Sequence, residues 1–83
     1  MKIFTYKIHL EPEPEGGFTV TVPALRGCVT YGKNYAEAVE MAKEAIEGFL
    51  EALEKAGQPI PKESSPQRAT DLLIPIQYPI AHP

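Results

Sequence analysis

The run "YAEAVEMAKEAIEGFLEALEKA", Tyr35 to Ala56, limits the fold more than any other part of this sequence. Val39, Ala42, Ile46, Phe49, Leu50 and Leu53 recur at three- and four-residue steps, which predicts a helix with one apolar stripe. That stripe must be buried against another layer. Asn34 suits the N-cap, and Glu37 stands at the capping-box position three residues on. Gly48 interrupts the helix at a cost of about 1 kcal/mol relative to alanine, so a close approach to a sheet is expected there. Gly57 fits just past the helix end, and Pro59 prevents its resumption.

The covering layer is written in alternation. Phe4, Tyr6, Ile8 and Leu10 share one parity, and Ile3, Thr5, Lys7 and His9 the other, which predicts a first strand from Lys2 to Leu10. "EPEPEGG", Glu11 to Gly17, reads as a turn. Phe18 to Val22 alternates again, so the two strands make an antiparallel hairpin. Pro23 to Gly27 is a loop, Cys28 to Tyr31 a short third strand, and Gly32–Lys33 a turn.

After the helix, "QPIPKESSPQRAT" is a polar, proline-rich connector. The tail "DLLIPIQYPIAHP" alternates once more, with Leu72, Ile74, Ile76, Tyr78 and Ile80 on one parity. Pro75 and Pro79 share the other, so one side of the strand loses donors, as an edge strand allows. The expected fold is α+β in the order βββαβ. It has an antiparallel three-stranded sheet, a C-terminal edge strand parallel to the first through a right-handed crossover, and one helix on one face. Residues 1–83 read as a single domain, with 66–83 as the tail carrying that edge strand.

A net charge of −3 and scattered Lys and Arg disfavour a domain that grips RNA or DNA by itself. No apolar run approaches the roughly 18–20 residues of a membrane span. One cysteine makes no internal disulfide, and the N-terminus lacks a signal-peptide pattern, which favours the cytoplasm.

Candidate chemistry is sparse. Cys28 has no accompanying base motif and reads as a small buried hydrophobe. His9 and His82 lack metal-ligand spacing. The strands carry no interior carboxylates for metal-dependent cleavage. The glycines match no phosphate-binding loop. No cofactor, metal or catalytic residue is expected. The helical glutamates form a stripe, which reads as a solvated face or as an acidic surface for a basic partner.

"GGFTVTVPALRGCVTYGKNYAEAVEMAKEAIEGFLEALEKAGQPIP", Gly16 to Pro61, resembles the HicB antitoxin family. The match rests on Pro23, Leu25, Gly27, Cys28, Thr30, Gly32, Glu37, Ala38, Gly57, Pro59, Ile60 and Pro61. The resemblance implies a partial ribonuclease-H-like fold without the nuclease's carboxylates. It also implies an antitoxin, often dimeric or tetrameric, that blocks the active site of a small basic HicA toxin which cleaves messenger RNA. Pro23, Gly27, Cys28, Gly32, Asn34 and Glu37 are then structural. Many family members carry a C-terminal helix-turn-helix or ribbon-helix-helix segment. The tail after Ser65 does not resemble one, so direct DNA binding is not expected.

The expected function is therefore non-catalytic masking of a basic ribonuclease toxin. Glu40, Glu44, Glu47 and Glu51 supply the charge, with strand addition at the sheet edge as an equal alternative surface. The rival reading is an orphan oligomeric module that binds a small molecule or RNA.

Overall fold

The computed structural model describes residues 2–63 and 71–78. The expected edge strand therefore appears as Asp71–Tyr78, and Arg68, Pro79 and His82 lie outside the described residues. The elements are β1 (Lys2–Pro12), β2 (Phe18–Thr21), β3 (Val29–Gly32), α1 (Tyr35–Lys55) and β4 (Asp71–Tyr78). The four strands form one sheet in the order β3-β2-β1-β4.

β1 runs two residues further than the alternation predicts, pairing Pro12 with Phe18. The Lys7 N–H donates to Glu63 Oε1 at 2.8 Å, on the side away from β4. Even-numbered residues of β1 therefore direct their main-chain groups toward the β4 side. β4 begins only opposite His9, so the donor Pro12 lacks is not needed there.

The fourth strand corrects the sequence reading. β4 is antiparallel to β1, with Lys2 opposite Tyr78 and His9 opposite Asp71. The connector is the physical cause. α1 ends near the Lys2 end of β1, where the Tyr78 hydroxyl meets Glu54. The chain then travels back along β1: the Tyr6 hydroxyl donates to Pro61 O at 2.6 Å, and Glu63 reaches the Lys7 N–H. Having retraced the strand, it enters β4 from the far end. A tight crossover would have entered from the near end and made the pair parallel.

The core lies between α1 and the face of β1 predicted to be apolar. Tyr6, Ile8, Val20, Ile46, Leu50 and Ile76 are each at most 2% exposed, and full burial of such side chains contributes about 1.5–3 kcal/mol apiece. The deepest line on the helix is Ala38, Ala42, Ile46 and Leu50. Val39, Phe49 and Leu53 of the predicted stripe flank it.

The small residues at its N-terminal end let the helix settle onto β3. There Gly32, not Gly48, makes the close approach: a Cβ at Gly32 would collide with the backbone of Ala38, whereas one at Gly48 would meet only open space. Asn34 Oδ1 accepts from the Glu37 N–H, as the cap predicts. Glu37 reaches back to the Lys33 N–H, one residue before the N-cap. At the other end Gly57 donates to Glu54 O and Gln58 to Leu53 O, closing the helix in a Schellman motif.

Candidate functional site

Three of the helical glutamates converge on one feature. Glu44, Glu47 and Glu51, with Gly48 between them, form one wall of a groove whose other wall is Gln77 and Tyr78 of β4. Its volume is about 360 Å³. Spacings of three and four residues bring the carboxylates onto one helical face, and all three are exposed. Gly48 contributes no side chain, which keeps the groove open. Glu40 continues the stripe one turn nearer the helix N-terminus but does not line the groove.

The antiparallel course of β4 decides the second wall. It carries Tyr78 to the C-terminal half of α1, where its hydroxyl donates to Glu54 Oε1 at 3.0 Å. Burial, with the Glu54 hydrogen bond and the charges of Glu54 and Glu51, pushes the Tyr78 phenol above its ordinary value. It therefore remains a neutral donor at neutral pH. Among the described residues no set of three or more His, Cys, Asp or Glu side chains is placed to hold a metal. The groove can attract a positively charged group and accept hydrogen bonds from it.

The motif residues build the joint between β2 and α1. Pro23 follows Val22 in a turn closed by the Leu25 N–H on Val22 O at 2.9 Å. The next turn, Leu25 to Cys28, is closed at 2.9 Å and needs the positive φ of +87° that Gly27 supplies. Cys28 sits buried just before β3, and burial raises its thiol above the ordinary value. A thiol held protonated is a poor nucleophile. Its carbonyl accepts from the Val22 N–H at 3.1 Å.

A polar cluster on the face away from α1 was not legible in the sequence. His9 Nδ1 lies 3.1 Å from Asp71 Oδ1, and Lys7 Nζ lies 4.0 Å from Asp71 Oδ2. Lys7 is only 6% exposed and Asp71 8%, although their strand parity placed Lys7 on the open face. Finding the cluster requires the β1–β4 register, and a parallel strand would have put Asp71 at the opposite end of β1.

A family model described as the HicB-like antitoxin of bacterial toxin–antitoxin systems matches residues 6–71. The chain belongs to the HicB-like antitoxin family. Among similar proteins are a UPF0150 protein of Synechocystis, 36% identical over 88% of this chain and 92% of the relative, and a UPF0150 protein of Thermoplasma acidophilum, 38% identical over 72% and 87%. The fold of this HicB-like chain is similar to that of the N-terminal domain of the Burkholderia pseudomallei antitoxin HicB. There the TM-score is 0.72 at 21% identity, covering 93% of this chain and all of that domain. Against the longer structure of the same antitoxin the TM-score is 0.70 at 22% identity, over 89% of this chain and 62% of that one. This chain therefore spans about three fifths of that longer antitoxin. No helix among the described residues of the HicB-like chain is long and apolar enough to cross a membrane.

Proposed function

We propose that this HicB-like chain neutralises a small basic HicA-type toxin by covering the site with which the toxin cleaves messenger RNA. It acts in the cytoplasm, as a homo-oligomer, by masking and without catalysis. The groove of Glu44, Glu47 and Glu51 against Gln77 and Tyr78 carries this reading, because it offers a cationic side chain several acceptors in one recess. Glu40 extends the negative field along the helix and speeds encounter with a basic surface.

The test is co-purification with the product of a neighbouring reading frame, followed by RNA cleavage with and without this chain. The expected result is a stable complex and suppressed cleavage. Replacing Glu44, Glu47 and Glu51 together by lysine should weaken the complex at least about tenfold and slow association most at low salt. A complex indifferent to those three changes would remove the acidic groove from the mechanism. Stable self-association with no toxin partner would leave the orphan oligomeric module.

A further inference from the structure

β2 stops opposite His9, whereas β4 follows β1 as far as Lys2. The turn from Val22 to Leu25 sends the chain on to β3 instead of along the rest of β1. Beside the first half of β1 the sheet therefore lacks a strand on its inner side. A groove of about 320 Å³ lies in that lane, between β1 and the connector at Pro61–Glu63. Main-chain groups alternate sides along a strand. The Lys7 N–H points into the lane, so those of Ile3 and Thr5 do as well. Lys7 is answered there by a carboxylate, Glu63 Oε1, at 2.8 Å. Among the described residues nothing bonds to the main chain of Ile3 or Thr5 on that side. An edge left in this state is a template for another strand.

We infer that this lane accepts an extended acidic segment of another protein as an added strand. The main chain of that segment pairs with Ile3 and Thr5. Its side chains alternate between the two faces of the sheet. Those on the α1 side meet Lys2, Phe4 and Lys62, which line the groove. Lys2 shares its parity with Phe4 and holds its ammonium 5.5 Å from the centre of that ring. Both lysines are exposed, so a carboxylate on this side gains charge-assisted hydrogen bonds. Side chains on the opposite face lie beside Ile3 and Thr5, where β-branched residues pair well.

Charge selects the occupant. The acid that lines the groove, Glu63, is already turned onto the Lys7 N–H, which leaves Lys2 and Lys62 to set the sign. A basic segment is repelled there. The chain itself has no suitable strand to offer. Residues 64–70 and 79–83 contain no Asp or Glu. The acidic runs of a second copy are already folded: one is helical in α1, and the other closes into the turn where the Glu13 N–H donates to Gly17 O. The lane is opposite in sign to the groove of Glu44, Glu47 and Glu51. The two sites therefore do not compete, and this inference does not depend on toxin neutralisation.

The test titrates the full, isotope-labelled chain with the peptide acetyl-TEVET-amide and with acetyl-TKVKT-amide, followed by nuclear magnetic resonance. The acidic peptide should shift the Ile3 and Thr5 amides saturably and slow their exchange at least about tenfold. The lysine peptide should bind there at least about tenfold more weakly. Thr5→Pro removes a lane-facing donor at a position that faces Pro75 across a pair not bonded through these groups. Lys2→Glu with Lys62→Glu reverses the charge at two exposed positions and leaves the main chain intact. Either change should weaken the acidic peptide at least about tenfold, with the folded state verified by circular dichroism. Equal binding of the two peptides at Ile3 and Thr5 would overturn the inference. So would no shift at either amide, an effect untouched by the double charge reversal, or protection of Ile3 and Thr5 by rising concentration of the chain alone.

Discussion

At one end of the sheet, β4 is tied to its neighbour along its whole length. It pairs with β1 from Asp71 to Tyr78, sends Ile74 and Ile76 into the core, and fastens Asp71 to His9. Its outer side carries Pro75, which cannot donate to a further strand. At the other end, β3 has four residues, and Val29 and Tyr31 stand exposed on it. Its hold on the fold comes from β2 and from Gly32 against Ala38 of α1. One edge is long and blocked; the other is short, packed against α1, and open. This small sheet blocks one boundary by a proline within the strand and leaves main-chain donors and acceptors of the other without a neighbouring strand.

The anchoring of β4 can be broken most severely from its core side. Ile76→Ala should cost about 2–5 kcal/mol, from lost burial plus the cavity left behind, measured by urea unfolding. Val29→Ala on β3 should stay within about 0.5 kcal/mol in the same assay. Equal losses at the two sites would erase the distinction.

A smaller loss is expected at the start of β4. Asp71→Asn keeps the shape but removes the charge beside His9 and Lys7. It should cost about 1.5–3 kcal/mol, with amide exchange quickening first in residues 71–73. Next comes Gly32→Ala, which should cost about 1–3 kcal/mol by pushing the N-terminal turns of α1 off β3. Proton shifts at Ala38, read by nuclear magnetic resonance, would locate the strain.

The smallest effect on stability is expected from Pro75→Val, within about 0.5 kcal/mol, because the position faces outward. It restores the missing donor and should raise self-association through β4, visible as larger species in sedimentation than the unchanged chain forms. No change in association would mean that the proline is not what blocks that edge.

The alternation of Phe4, Tyr6, Ile8 and Leu10 made β1 and its buried face legible, and three- and four-residue spacing did the same for α1. Asn34 and Glu37 marked the helix start, since capping depends on a few neighbouring atoms. The direction of β4 was not legible. A period of two reads the same from either end, and the strand's course depends on where the connector delivers it. The use of Gly48 was also misread, because a missing side chain is equally visible in sequence whether it faces a sheet or solvent. The glutamate wall of the groove could be drawn from helical periodicity. Gln77 and Tyr78 could not, since their position follows from the direction of β4.

The order of residues alone determined the elements, the helix ends and the faces to be buried, because each rests on contacts within a few positions or on simple periodicity. It also fixed the sign of the charge on the helix. Packing decided the rest: the reversal of β4, the burial of Lys7 and Asp71, and the pairing of helix and strand into one groove. Those depend on segments that meet only after the chain has turned back on itself, and no local pattern records where that return ends.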